Sequence, residues 1–227
     1  MEIINVSRMI PKDFRASEAL KTLRTNLVFS GPSVRVIGIT SYGAAEGKST
    51  ISFQLAVSFA QAGKRVLLVD ADLRRSIMAN RLQVKSKPEG LSHYLTGQAN
   101  VSDLLCETDM PGLYIMFAGT RVPNSTELLG SENFAKLIPA LKEAFDYVIV
   151  DTAPLGQVID CAVMASCLDG VAVVIDTTNN SYKLERKIKH QIEKAGGKVL
   201  GAILNQVDFS LQRGYYGRYY DYYKHED

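Results

Sequence analysis

The apolar residues of this chain gather in short, nearly unbroken runs rather than in alternating ones. Three stand out: VRVIGITS from Val34, RVLLVDADL from Arg65 and YVIVDTAP from Tyr147. GVAVVIDTT from Gly170 and KVLGAILNQ from Lys198 follow the same pattern, and LYIMFAG from Leu113 is a sixth. A half-exposed strand alternates, so these runs predict strands in a sheet covered on both faces. Between them lie segments with helical spacing: STISFQLAVSFAQAG, ENFAKLIPALKEAF, IDCAVMASCL and SYKLERKIKHQIEKAG. Gly63 and Gly196 fall where C-terminal helix caps belong. Strand alternating with helix predicts βαβ units, hence an α/β fold with a mostly parallel sheet flanked by helices. The expected division is an N-terminal helical segment over 1–33, containing SEALKTLRTNLVF, one domain over 34–207, and a tail over 208–227.

Ligands of such sheets bind at the carboxyl ends of the strands. The first strand runs there into SYGAAEGKST. Gly-Lys-Ser at a helix N-terminus is a phosphate-binding arrangement. Backbone N–H groups and the helix dipole face the anion, Lys48 reaches the terminal phosphates, and the Ser49 hydroxyl is a Mg²⁺ ligand. The strict pattern of this loop fails, because Tyr42 stands at its first glycine position and Gly43 comes one residue late. The second strand ends VDADLR, giving Asp70, Asp72 and Arg74. Carboxylates at i and i+2 on a strand share a face, and like charges that close need a cation. Asp151, ending the run VIVD, stands where a Walker B carboxylate belongs. Together these residues predict a Mg²⁺–nucleotide site.

Composition narrows the classes. A chain of 227 residues suffices for one well-buried α/β domain. A net charge of +2 is too small to imply a nucleic-acid partner by bulk electrostatics. Cys106, Cys161 and Cys167 lack metal-ligand spacing and read as free, buried thiols in a reducing compartment. The first residues lack a signal-peptide core and no window has the length of a membrane span, so a cytosolic location is expected.

The last thirteen residues hold Tyr215, Tyr216, Tyr219, Tyr220, Tyr222 and Tyr223 in adjacent pairs, interrupted by Gly217, Arg218 and Asp221. No single face of a helix or strand buries such a set. Arg213, Arg218 and Lys224 are nearly balanced by Asp221, Glu226 and Asp227, which disfavours a nucleic-acid stretch. Extended, the roughly twenty residues after Val207 span about 60 Å, enough to reach a neighbouring subunit.

These motifs resemble the deviant-Walker ATPases related to ParA and MinD. Within that group the chain is similar to the bacterial tyrosine kinases of capsule and exopolysaccharide synthesis over nearly its whole length. The matching segments are EALKTLRTN, EGKST, LLVDADLRRS, PNSTELL, VIVDTAPLG, LGAILNQ and the tyrosine cluster. The resemblance implies ATP and Mg²⁺ as cofactors and phosphoryl transfer to tyrosine. Gly43, Glu46, Gly47, Lys48, Ser49, Thr50, Arg74, Asn205 and Val207 are the expected cofactor-binding residues, with Asn205 and Val207 near the adenine. Lys48, Asp70, Asp72 and Asp151 are expected to be catalytic, and Ser49, Asp72 and Asp151 to hold the metal. The six tyrosines of the tail are the expected phosphoacceptors, used in trans. Glu18, Lys21 and Arg24 correspond to the family's oligomerisation motif, with lysine replacing its middle arginine, and imply a homo-oligomeric ring. The implied partners are a transmembrane activator chain and a cognate tyrosine phosphatase, with recruitment to the inner face of the plasma membrane and no nucleic acid.

Two departures matter. The signature lysine of the partitioning ATPases, five residues before Lys48, is Gly43 here, so a dimer built on that lysine is not supported. Where the family usually reads Pro-Gly, this chain has Ala44-Ala45; a positive φ at Ala45 costs on the order of 1 kcal/mol relative to glycine. The alternatives are a ParA/MinD-like positioning ATPase and a catalytically weak nucleotide-binding scaffold. Turnover with and without the tail separates them from the kinase.

Overall fold

All six apolar runs become strands of one sheet. They are β1 (Val36–Ser41), β2 (Val66–Asp70), β4 (Leu113–Met116), β5 (Tyr147–Asp151), β6 (Gly170–Asp176) and β7 (Val199–Asn205). A seventh strand, β3 (Cys106–Glu107), completes the order β3-β4-β2-β5-β1-β6-β7. Every pairing is parallel except β3 with β4. The computed structural model describes residues 3–11, 13–84, 88–178 and 182–207. The tyrosine tail, with the six expected phosphoacceptors, lies outside the described residues.

The inner strands β1, β2, β5 and β6 are unbroken because both faces are dry. The edge strand β7 leaves Leu204 exposed, so the expectation that every run is covered on both faces is corrected there. On β2, Val66 and Leu68 join one core while Leu67 and Val69 join the other. β5 divides in the same way, with Ile149 on one side and Val148 and Val150 on the other. The first layer is formed by α1 (Phe14–Phe29) and α2 (Lys48–Gln61), which bury Leu27, Phe53 and Phe59. The second contains α6 (Glu132–Ala144), α7 (Asp160–Ala165) and α8 (Tyr182–Lys194), which bury Phe134, Met164 and Ile188. Gly63 and Gly196 take φ of 76° and 81° just past their helices, the left-handed region that ends a helix without a Cβ penalty.

The structure adds pieces that periodicity did not predict. Helices α3 (Met78–Arg81), α4 (Leu91–Leu95) and α5 (Ser125–Leu129) are one turn each. Ile4 and Val6 near the N-terminus also join the core: Val6 is fully buried, and its N–H donates to Asp109 Oδ1 at 2.8 Å. Ile4 extends the β3 edge through backbone bonds with Glu107 and Asp109. Only one cysteine, Cys161, is buried; Cys106 and Cys167 are half-buried, so the expectation of three buried thiols is corrected. Among the described residues no helix is long and apolar enough to cross a membrane.

One register decides the site. Asp70 of β2 pairs directly with Asp151 of β5, so the last residues of two central strands stand side by side. Both share strand parity with Leu68 and Ile149, which face the α2 layer. The parallel sheet therefore delivers two carboxylates to the start of α2.

Candidate active site

The loop from Tyr42 to Gly47 is held by its own side chains. The buried Glu46 carboxylate accepts the Gly43 N–H at 2.8 Å through Oε1 and the Tyr42 N–H at 3.3 Å through Oε2. Ser41 Oγ donates to the Gly43 carbonyl at 2.8 Å. Across the sheet, Asn205 Nδ2 at the end of β7 donates to the Glu46 carbonyl at 2.9 Å. The sequence reading set Asn205 near the adenine; here its amide ties β7 to the phosphate loop. Gly47 has φ 88°, and a Cβ there would lie 2.1 Å from Asn205 Nδ2, so any other residue would be strained and would displace the Asn205 amide.

Ala45 has φ 65°, the strained conformation that the missing glycine raised as a question. Ala45→Gly is therefore expected to stabilise the protein by about 1 kcal/mol, the relief of the Cβ outweighing the freer unfolded chain. Urea titration of the two proteins checks this; an unchanged or lowered midpoint would show that the loop tolerates Ala45 without strain.

Behind the loop sits a buried ionic cluster. Lys48 Nζ contacts Asp151 Oδ1 at 3.1 Å, their side chains being 8% and 2% exposed. The same ammonium donates to Ser49 Oγ at 3.1 Å. Ser52, one turn along α2, donates to the same Asp151 oxygen at 3.1 Å. A cation thus already bridges Ser49 and Asp151, two of the three residues expected to hold Mg²⁺. Their donor set, one hydroxyl and one carboxylate, fits a hard ion that keeps several waters and takes substrate phosphates. Asp72 stands at the mouth of the cluster, its Oδ1 accepting the N–H groups of Arg74 and Arg75 at 3.3 and 2.9 Å. Among the described residues no three His, Cys, Asp or Glu side chains converge as a ready metal cage.

Asp70 has the most perturbed environment of the cluster. Burial pushes its pKa up to about 7, and the neighbouring carboxylates of Asp151 and Asp72 add to the shift. A hydrogen bond from Ser76 and the charge of Lys48 oppose it. The result is a carboxyl poised to exchange a proton near neutral pH, the property expected of a group serving acid–base chemistry.

Arg74, expected to bind the cofactor, lines the cleft beside Asp72 and is held there by an acid from another element. Its guanidinium forms a two-point pair with the buried Asp160, Nε to Oδ2 at 2.8 Å and NH2 to Oδ1 at 3.0 Å, and reaches Thr126 Oγ1 at 2.8 Å. Ser125 and Thr126 also donate to Asp160. Arg74 thereby clamps the segment after β2 to α5 and α7, fixing the wall of a cleft of about 770 Å³ beside Asp72. Arg75, Arg121, Pro123, Pro154 and Val158 also line that cleft.

The remaining expected residues are scattered. Thr50 receives a hydrogen bond from Arg81 at 2.6 Å at the surface. Val207 follows β7 and is half-buried, one residue past Gln206, whose φ is 57°. On α1, Glu18 and Lys21 pair with each other at 2.7 Å, while Arg24 donates to the Ser58 carbonyl of α2 at 2.5 Å. Sequence reasoning missed Ser52, Ser76 and Asp160. The first has a signal, lying at i+4 from Lys48 on the same helix face. The other two depend on contacts that no local pattern announces.

Comparison with known proteins follows the same lines. The AAA domain family matches residues 34–200. Tyrosine-protein kinase CpsD of Streptococcus agalactiae is 42% identical over 206 residues, covering 90% of each chain. The crystal structure of the chimerical protein CapA2B2 superposes with a TM-score of 0.82 at 32% identity, over 91% of this chain and 95% of that one. The septum site-determining protein MinD of Pyrococcus horikoshii, solved with Mg-ADP, matches with a TM-score of 0.63 at 24% identity, over 75% of this chain and 69% of its own. That likeness is one of fold.

Proposed function

We propose, from the premise that this chain belongs to the bacterial tyrosine-protein kinases, that it transfers the γ-phosphoryl group of ATP to tyrosines of its own C-terminal tail. The observation that carries the reading is the buried Lys48–Asp151 pair beside Asp70, at the mouth of a phosphate loop and next to an open cleft. The nucleotide phosphates would enter over the N-terminus of α2, where backbone N–H groups and Lys48 neutralise them. Ser49, Asp72 and Asp151 would hold Mg²⁺, which when bound spreads the charge of the β- and γ-phosphates.

The phenol oxygen of a tyrosine attacks the γ-phosphorus in line, the bond to the β–γ bridging oxygen breaks, and ADP leaves. The phenolic proton passes to the Asp70–Asp72 pair. Asp72 faces the cleft, and Asp70 lies behind it, with its N–H-accepting Oδ1 3.3 Å from the Asp72 nitrogen. Glu46 and Asn205 keep the loop in shape throughout.

Transfer in trans needs neighbouring subunits, and we place the contact on α1, which leaves Phe14 63% and Phe29 81% exposed. Several phosphates on one tail, at about −1.5 to −2 charge each, would repel adjacent subunits and loosen such an assembly. This is a switch suited to regulating capsule or exopolysaccharide export. The kinase would then act at the inner face of the plasma membrane, held by a transmembrane activator chain and reset by a tyrosine phosphatase. The positioning-ATPase alternative is disfavoured, because Gly43 occupies the place of the lysine on which that branch builds its dimer.

Mass spectrometry of the full chain after incubation with Mg-ATP tests the reading, with and without the cytoplasmic segment of the membrane partner. Repeated additions of about 80 Da on the Tyr215–Tyr223 peptide are expected, absent from Lys48→Met. ATP consumed with no phosphate added in any condition would refute it.

A further inference from the structure

Two guanidinium groups on the cleft wall have no role in the chemistry above. Arg75 follows the Arg74 clamp after β2, and Arg121 follows the neighbouring strand β4; both are exposed. Among the described residues neither guanidinium has an ion pair or a side-chain hydrogen bond. Both line the 770 Å³ cleft and also the adjoining one of about 680 Å³, and Asp72 is common to the two. The phosphate loop lines neither cleft. The rest of the main cleft is largely apolar, formed by Val122, Pro123, Pro154 and Val158. Two free guanidinium groups over apolar walls suit a flat hydrophobic ring that carries a dianion.

We propose that Arg75 and Arg121 form a phosphotyrosine subsite, which holds an already modified tyrosine of the tail while a neighbouring one is at Asp72. The inference rests on the reading of the tail as acceptor. Charge favours the modified tail over the unmodified one. Before transfer, the cations Arg213, Arg218 and Lys224 nearly cancel Asp221, Glu226 and Asp227, so the arginine pair attracts the segment weakly. One phosphate adds about −1.5 to −2 charges and oxygens that accept forked hydrogen bonds from arginine. Spacing agrees. Tyr220 and Tyr222 are two apart, so in extended chain they project to the same side about 7 Å from each other. The consequence is ordered, multi-site modification: the first phosphate raises the local concentration of the remaining tyrosines at the active site.

Binding without chemistry tests this, so its result is independent of whether transfer occurs. The phosphatase-treated full chain, saturated with Mg-ADP, is titrated with peptides of residues 211–227 that are unmodified, phosphorylated at Tyr220, or carry Tyr220→Glu. The phosphopeptide is expected to bind at least tenfold more tightly than the other two. That preference is expected to fall below twofold in Arg75→Ala/Arg121→Ala and to return in part in the double lysine variant, with circular dichroism unchanged in both. Equal binding of all peptides, a preference surviving in the alanine variant, or a glutamate peptide binding as well as the phosphopeptide would each overturn it. So would inorganic phosphate competing as well as phosphotyrosine amide. If the kinase reading itself were wrong, the failure would show elsewhere, as absent mass additions with Mg-ATP.

Discussion

Asp70→Asn is expected to make the protein more stable at pH 7.5 while reducing phosphoryl transfer by at least a hundredfold. Asp70 carries a carboxyl whose pKa is raised from 3.8 to about 7, mainly by burial and then by Asp151. An acid that is harder to ionise in the folded state destabilises that state whenever the solution demands ionisation. The sign follows directly: well below the unfolded pKa near 4 both states are protonated and nothing is lost. Between about 4 and 7 the unfolded chain releases the proton first, and above about 7 the full penalty is present. A shift of about three units corresponds to roughly 4 kcal/mol. In a chain of this length that is roughly 10 °C in thermal midpoint.

Asparagine keeps a hydrogen-bonding partner for Ser76 and removes the charge facing Asp151 and Asp72. The gain should shrink to about 1–2 kcal/mol at pH 5 and to about 0.5 kcal/mol at pH 4, vanishing only below about pH 3. Differential scanning calorimetry from pH 4 to 8 measures it. Adding Mg²⁺ and nucleotide should narrow the gap between the two proteins, because bound cations compensate the wild-type carboxylate. A pH-independent difference, or a less stable variant at pH 7.5, would show that Asp70 is ionised and well solvated in the folded protein. The lost activity follows from removing a base poised near neutrality, a contribution of about 10²–10⁴ in rate.

Much of this architecture was legible in the order of residues, for a physical reason. A parallel sheet buried on both faces demands apolar side chains at successive positions, so β1, β2, β5 and β6 leave runs too dense to mistake for half-exposed strands. The strand β3 left no such trace. It is two residues long and exists because Ile4 and β4 supply backbone partners from distant parts of the chain. Helices α3, α4 and α5 are too short for a 3.6-residue period to repeat. The same divide runs through the site. Lys48, Ser49, Asp70 and Asp151 could be read because each ends a strand or starts a helix, where local pattern fixes position, while Asp72, expected on the strand with Asp70, lies just past its end. The pairing of Asp70 with Asp151 could not, since register between parallel strands is set by the packing of the connecting helices. Arg74 shows what a linear motif leaves out: it lines the cleft, yet the acid that holds it, Asp160, is eighty-six residues away. Ala45 is the opposite case, a position where a departure from the usual glycine announced its own strain.

Lys48→Met is expected to be damaging twice, and the two losses can be separated. The nucleotide phosphates lose their buried cation, so affinity for ATP and phosphoryl transfer should both collapse. The fold suffers independently. Asp151 is 2% exposed, and its neighbours are the carboxyl of Asp70 and the hydroxyl of Ser52, so without the ammonium its charge has nothing to balance it. Breaking a buried pair from one side costs about 3–5 kcal/mol, more than the pair itself contributes, because the remaining ion is stranded in a low dielectric. The double variant Lys48→Met/Asp151→Asn removes both charges, and Ser52 can still donate to the new amide oxygen. It is expected to recover most of the lost stability in a guanidinium titration while remaining inactive in the tail-phosphorylation assay. The pattern would fail if the double variant were as unstable as the single one, since Lys48 would then stabilise through its packing. It would fail equally if the single variant kept wild-type stability, which would mean that Asp151 has access to water or to a counter-ion of its own. With the two effects apart, the residual activity of the double variant reads the contribution of Lys48 and Asp151 to catalysis free of any unfolding.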